Sequence, residues 1–405
     1  GFVHFFHDQG TTVKEDWAFI PAELLTRAIG LMVDKEVSQH PYGMDSTATL
    51  FNIDKSPQQQ KIAVMGMRRG GKSYYAFDIT SPTAPTLLWK ISKSDSQFTE
   101  LGQTWSKPKA GWLNVSGKTL PVFIFGGGYD VNKDTCSGST ACLDSEGRGI
   151  FIVNALNGQK IWSNNATCNA GDLHCLQHSI ASDVATLDSN SDGIIDRLYS
   201  GDTGGNVWRV DLKGGDPTLW STIKLAQLSD DKVKGDRRVF TTPTITRSLI
   251  QTVTKIKEQY QVYDQAVDMV LVGTGNRAKP ASDTANQDAF VMIKDTYILP
   301  TLFGQGKIDK PTPIAYSDLF NITDNPIQSS TDLMLTRSNL SAHSGWRYEF
   351  KGAGEKSLGG ALALAGTVYF TSFSPNAISN LQCGIGDMGQ GKLYAVNLID
   401  GTNAH

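Results

Sequence analysis

Residues 188–196 read Asp-Ser-Asn-Ser-Asp-Gly-Ile-Ile-Asp. Counted from Asp188, side chains fit to bind a hard cation stand at positions 1, 3, 5 and 9, with glycine at position 6. These are the ligand positions of an EF-hand loop, and position 7, Ile194, offers its backbone carbonyl. The expected ligands are Asp188, Asn190, Asp192, Ile194 and Asp196, and the expected ion is Ca2+. Calcium takes six to eight oxygens at about 2.3–2.6 Å, and a loop that alternates its ligands can wrap a sphere of that size. Gly193 permits the sharp turn. Magnesium, which keeps its waters, suits such a loop less well. Position 12 is Tyr199, where an EF-hand carries a bidentate Glu, and the flanks read as strands. Water or another residue must then complete the shell, with Asp183 and Asp202 as candidates. Fewer ligands predict weaker binding, on the order of 10⁻⁴–10⁻³ M.

Other residues with chemical potential are weaker signals. His174 and His178 lie four apart beside Cys175, but inside what reads as a polar loop. Gly70-Gly71-Lys72-Ser73 imitates the tail of a P-loop, yet Ser73 runs into the strand-like YYAFDI where a helix would be needed. Phe125–Asp130 (FGGGYD) lacks the G-x-G-x-x-G order and reads as a tight bend after a strand. Lys234-Gly235-Asp236 would need an exposed loop to touch a host receptor. No G-x-S-x-G elbow and no acid–base constellation is present, so no catalytic residue is assigned. Of five cysteines, 136/142 and 168/175 form close pairs, and local closure is the simplest pairing. Disulfides imply an oxidising location. Cys383 is left over.

The elements that must position the loop are strands. Forty glycines, with Asp, Asn, Ser and Thr between short apolar runs, favour a turn-rich β protein. The formal net charge of −3, with basic residues unclustered, gives no support for nucleic-acid binding. The apolar runs are too short to cross a bilayer as helices. A chain that starts at Gly1 inside a strand reads as an excised part of a longer protein.

One strand pattern recurs seven times: Gly1–Asp8, Lys72–Ile79, Arg148–Ala155, Gly205–Leu212, Asp288–Asp295, Ser344–Lys351 and Gly391–Leu398. Trp17, Trp89, Trp162 and Trp220 follow four of the copies. Strands with two apolar faces must stack on neighbours, and radial closure of such sheets gives a propeller. Each Trp would fill a wedge between blades, and its Nε1–H would need an acceptor there. The expected fold is all-β: residues 1–405 as a single modified seven-bladed β-propeller, quinoprotein-like, with loop and helix insertions. Ile20–Val37 reads as a helix decorating the first blade.

Several blocks occur in an order that resembles the C-terminal domain of the PilC/PilY family of type IV pilus biogenesis proteins and adhesins. They are Ala18–Leu25, Gly71–Pro82, Thr104–Gly111, Val122–Asp130, Leu187–Leu212 and Val272–Asn276. The resemblance implies a secreted or outer-membrane, cell-surface, pilus-associated protein. Its implied partners are pilus subunits or minor pilins, with a host-cell receptor as a further one. It also implies a calcium site that regulates pilus extension against retraction, supporting twitching motility, adhesion and virulence. The family's ligands carry over onto Asp188, Asn190, Asp192, Ile194 and Asp196. The blade pattern is similar, too, to quinoprotein dehydrogenases, which set their quinone beside a calcium and commonly a vicinal disulfide. This chain has no adjacent cysteines, so the expectation is a non-enzyme. A surface lectin or scaffold with purely structural calcium is the third reading.

Overall fold

The structure is a computed structural model of the 405-residue chain. It describes all residues except 33–40, 55–58, 137–141, 165–170, 231–233, 307, 377–388 and 405. The described residues form six sheets, numbered here in chain order. Sheet 1 is the hairpin Val3–Asp8 and Val13–Phe19. Sheet 2 runs Thr49–Ile53, Gln60–Gly66, Ser73–Asp78 and Thr86–Ser92. Sheet 3 runs Lys109–Val115, Lys118–Gly126, Ile150–Asn154 and Lys160–Ser163. Sheet 4 runs Ala185–Leu187, Arg197–Gly201, Asn206–Asp211 and Ser221–Gln227, with Ile314–Ala315 added in parallel at its edge. Sheet 5 runs Thr244–Ile256, Gln259–Gly273, Ala289–Asp295 and Gly345–Glu349, edged by Phe320–Asn321. Sheet 6 is Leu362–Leu364, Thr367–Pro375 and Gly389–Asn397. Apart from the two parallel edge strands, the strands of these sheets pair antiparallel.

Period-two alternation explains why these sheets stack in order. In sheet 3, Phe123, Phe125, Phe151 and Val153 pack with Val64, Tyr74 and Ala76 of sheet 2. The intervening Val122, Ile124, Ile150 and Ile152 pack with Leu198, Trp208 and Val210 of sheet 4. Sheet 4 then turns Tyr199 and Val207 toward Val270, Val272, Val291 and Ile293 of sheet 5. The other face of sheet 5, with Met269, Leu271, Phe290 and Met292, meets Val368, Phe370 and Val396 of sheet 6. At the other end, Val3 and Phe19 of sheet 1 cover Met65, Tyr75 and Phe77 of sheet 2.

All seven copies of the repeat are strands, but they do not mark seven sheets. The copy at Ser344–Lys351 pairs with Ala289–Asp295 as the fourth strand of sheet 5. Its tryptophan shows why. Trp89, on the fourth strand of sheet 2, donates from Nε1 to the Ala155 carbonyl beyond sheet 3, at 2.9 Å. Trp346 donates in the same way to Leu398 O beyond sheet 6, at 3.1 Å. Trp17 donates to Pro82 O at 2.8 Å. The expected acceptors exist, and a fourth strand carrying its own Trp looks in sequence like another third strand. Trp162 and Trp220 instead pack edge to face, 5.8 Å between centroids, and Trp220 Nε1 has no partner among the described residues.

The decorating helix is present as a 3-10 turn at Ala22–Leu24, preceded by Pro21, that continues as Leu25–Met32; residues 33–37 of the expected helix lie outside the described residues. Leu24 is its buried anchor against Met65 and Tyr75. No helix among the described residues is long and apolar enough to cross a membrane.

Two consequences can be measured. Trp89→Phe keeps an aromatic side chain but removes the indole N–H and orphans the Ala155 carbonyl, and should cost about 1–3 kcal/mol in urea unfolding. Asp288 is buried, and burial pushes its carboxyl up to about 7 against a hydrogen bond from Thr274 and the charges of Lys356 and Arg237. The folded chain therefore holds a proton that the unfolded chain has released. Stability should fall by up to about 1.4 kcal/mol per pH unit from roughly pH 4 to pH 7. In Asp288→Asn, which mimics the protonated group, thermal unfolding should lose most of that slope.

Candidate metal centre

The loop predicted to bind calcium caps a hairpin at the edge of sheet 4. Ala185–Leu187 pairs antiparallel with Arg197–Gly201, with Leu187 opposite Arg197. The Asp196 N–H donates to Leu187 O at 2.9 Å and closes the base of the loop. Ile195 N–H reaches across to Trp112 O of sheet 3 at 2.9 Å. The Ile195 side chain lies over Gly111, where an added Cβ would sit 2.2 Å from its Cδ1. Glycine at 111 is what lets the two sheets approach there.

Within the loop, three predicted ligands converge. Asp188 Oδ1 and Asn190 Oδ1 both accept from the Asp192 N–H, each at 3.2 Å. Asp188 Oδ2 accepts from Gly193 N–H at 2.7 Å, and Asp192 Oδ1 accepts from Ile194 N–H at 2.8 Å. Asn190 Nδ2 donates to Asp192 Oδ2 at 2.9 Å. The tight wrap needs left-handed backbone at Ser191 (φ 61) and Gly193 (φ 85), and at 193 only glycine takes it without strain. Asp196 stands apart: its two carboxylate oxygens accept from Ser189, from N–H at 3.0 Å and from Oγ at 2.7 Å. Burial pushes the Asp196 carboxyl up, against those hydrogen bonds and the Arg197 charge, with Asp188 adding to the rise. Among the described residues, no three His, Cys, Asp or Glu side chains are placed to share one ion. The donor set nevertheless suits a hard cation in kind, being all oxygen. A cavity of about 440 Å³ touches Asn190, Ile194 and Asp196. For Asp196 to join Asp188, Asn190, Asp192 and the Ile194 carbonyl, its carboxylate must turn from Ser189.

The support beneath the loop was not foreseen. Arg197 is fully buried, and its Nε donates to Ser189 Oγ at 2.9 Å. Its Nη2 pairs with Asp268 of sheet 5 at 2.6 Å, and Arg247 holds the other oxygen of Asp268 at 2.8 Å. Arg209, also fully buried, pairs with Asp211 and with Asp295, each at 2.6 Å. Tyr199 Oη donates to Asp295 at 2.9 Å. The visible signal was an arginine at an inward position of two otherwise apolar strands, Arg197 in RLYSG and Arg209 in NVWRVD.

The remaining sequence candidates resolve plainly. Asp183 and Asp202 cannot complete the loop, because each lies at the far end of its strand from residues 188–196. Asp183 accepts from Lys107 N–H, and Asp202 from Asn206 and Trp208. His174 Nδ1 accepts from Lys224 N–H, whereas buried His178 faces Lys133 Nζ at 3.1 Å, so the two histidines share no ion. Asp236 of the Lys-Gly-Asp triplet is buried and paired to Arg238 at 2.9 Å. Lys72 pairs with Glu146 at 2.7 Å and is followed by a strand, so no phosphate loop forms. Cys136 and Cys142 are disulfide-bonded, as expected. Cys175 is also in a disulfide; Cys168 and Cys383 lie outside the described residues.

Removing one partner of a buried ion pair leaves an uncompensated charge. Asp268→Ala should therefore lower stability by about 3–5 kcal/mol, and Arg197→Met with Asp268→Leu should recover most of it, as read by urea unfolding.

Comparison with known proteins agrees with this architecture. A type IV pilus biogenesis factor PilY1 homolog of Xylella fastidiosa is 26% identical over 426 residues, covering 100% of this chain and 26% of the relative. The type IV pilus biogenesis factor PilY1 of Pseudomonas aeruginosa is 29% identical over 220 residues, covering 53% of this chain and 16% of its own length. The chain thus spans about a quarter or less of the curated relatives it matches, and both are named as biogenesis factors rather than enzymes. The crystal structure of the P. aeruginosa PilY1 C-terminal domain superposes with a TM-score of 0.65 at 20% identity, covering 100% of this chain and 78% of that one, and shares its fold. The family model described as the PilY1 β-propeller domain matches residues 1–297, which include the whole hairpin loop, and the chain belongs to that family.

Proposed function

We propose that this chain is the calcium-binding C-terminal domain of a type IV pilus biogenesis and tip-adhesin protein. In this reading one Ca2+ is held by Asp188, Asn190, Asp192, Asp196 and the Ile194 carbonyl, and its binding sets pilus extension against retraction. The observation that carries the reading is that Asp188 Oδ1 and Asn190 Oδ1 converge on the single amide of Asp192, while Asn190 Nδ2 donates to Asp192 Oδ2. Family membership supplies the context, since the relatives are named for pilus biogenesis. The protein acts outside the cell, on the cell surface with the pilus. Pilus subunits or minor pilins are its partners, and twitching motility and adhesion are the outcomes. The same reading takes residues 1–405 as one modified seven-bladed propeller.

When bound, Ca2+ would supply two positive charges against the three carboxylates of the loop. Gly193 and Ser191 shape the wrap, while Ser189 and Arg197 tie the loop's base to sheet 5. Calcium can shift the loop between its two states by no more than the difference in its own affinity for them.

Calorimetry on the 405-residue chain should give a dissociation constant on the order of 10⁻⁴–10⁻³ M. At a hundredfold excess of calcium over that constant, stability should rise by about 2.7 kcal/mol. Asp196→Ala should weaken binding at least about tenfold with unchanged circular dichroism. In cells, the same substitution should alter pilus number and twitching. Wild-type protein that stays metal-free in millimolar calcium would remove the basis of the switch, and normal piliation in the variant would remove the regulation.

A further inference from the structure

A second cavity lies where five sheets meet. Thr47, Lys107, Asp183, Thr242 and Gly360 line it, and each stands two residues before the first strand of sheet 2, 3, 4, 5 or 6. This repetition of one position from sheet to sheet places the cavity, about 350 Å³, on the common axis of the sheets. Its wall also takes Arg68, from the turn after the second strand of sheet 2, and Arg277, from the loop after the second strand of sheet 5.

The charge in this cavity is unbalanced. Arg68, Lys107 and Arg277 face it with one carboxylate, Asp183. That carboxylate already accepts the Lys107 N–H at 2.7 Å, and burial pushes its carboxyl up. Arg68 has Asp45 at 3.8 Å, a loose pair, while Lys107 and Arg277 have no carboxylate at contact distance among the described residues. Burial pulls the Arg68 guanidinium down, and the like charges of Arg277 and Arg69 add to that, against Asp45.

Arg68 is also held in place. The guanidinium carbons of Arg68 and Arg69 each lie 4.9 Å from the centroid of Trp105. Trp105 is packed against Tyr129 and Phe240, and its Nε1 donates to Gln103 Oε1 at 3.1 Å. Arg69 Nη2 is anchored on Ala278 O at 2.9 Å. Arg68 itself has φ 45, a left-handed backbone that a side chain other than glycine adopts at a cost of about 1–3 kcal/mol. Fold packing alone does not require gathering like charges around a polar hollow with strained backbone. An anion between them would relieve the repulsion at no further ordering cost, the condition for preorganised binding.

We propose that this axial cavity binds a small multivalent anion through its carboxylate or phosphate oxygens, using Arg68, Lys107 and Arg277 as cationic partners. The hydroxyl of Thr47 offers an additional donor. An adjoining cavity, lined by Lys109, shares Lys107, Asp183 and Thr242 with it. The site is separate from the loop at 188–196 and stands whether or not that loop takes calcium.

The test is calorimetric titration of the 405-residue chain, in calcium-free buffer of low ionic strength, with succinate and separately with inorganic phosphate. At least one should saturate the protein, and which one does identifies the anion class. The double variant Lys107→Gln, Arg277→Gln should bind that anion at least about tenfold more weakly. Lys118→Gln, an exposed lysine in a hairpin of sheet 3, should change affinity by less than about twofold. Unchanged circular dichroism would show that both variants fold. If neither anion saturates the wild type by about 10 mM, or if the double variant binds as well as wild type, the proposal is overturned.

Discussion

Each inner sheet of this protein is apolar on both faces, and that is the constraint from which the architecture follows. Sheet 3 shows it cleanly: Phe123 and Phe125 belong to one packed layer, Val122 and Ile124 to the next. Exposing either row to water would forfeit roughly 25 cal/mol for each Å² of apolar area. A sheet in this position has no solvated side to offer, so every neighbour must in turn be two-faced, and the stack continues from sheet 1 to sheet 6. The wedge that opens between twisted sheets is filled by indole rings. Their Nε1–H groups reach backbone carbonyls beyond the next sheet, as Trp89 and Trp346 do.

Between sheets 4 and 5 the filling changes character. Arginines 197 and 209 replace aliphatic side chains at inward positions, and Asp268, Asp295 and Asp211 neutralise them. Such a network stabilises less than good apolar packing, but it tolerates few alternative arrangements. Its position explains its presence. Ser189 accepts from Arg197 and donates to Asp196, so the base of the acidic loop is continuous with the buried pairs. A hairpin loop that might have been a floppy surface excursion is therefore referenced to two sheets at once, with Ile195 adding the link to sheet 3.

The same radial geometry concentrates the segments that precede each first strand. Residues that are about 60 to 80 apart in sequence for most pairs become neighbours around one axis, and their side chains decide the chemistry there. The apolar rings of Trp105 and Phe240, packed on Tyr129, line the hollow together with the cations. Neither calcium chemistry nor strand packing needs those charges.

Much of this was legible from local pattern. Alternating strands, the acidic nine-residue loop and the closed Cys136–Cys142 pair all depend on residues close in sequence, where periodicity and ligand spacing carry the information. The wedge role of Trp89 was legible for the same reason. What the sequence could not determine is which residues meet across sheets. Ser344–Lys351 carries the same alternation as a third strand, and only its pairing with Ala289–Asp295 makes it a fourth. Asp183 and Asp202 looked near the loop because they are near in number. A strand that rises about 3.3 Å per residue carries them to the opposite end of the sheet. The Arg197–Asp268 pair and the axial cations join residues about 40 to 210 apart, and no local rule predicts such meetings. Short-range order was written in the chain; the partners of its buried charges were settled only when the sheets packed on one another.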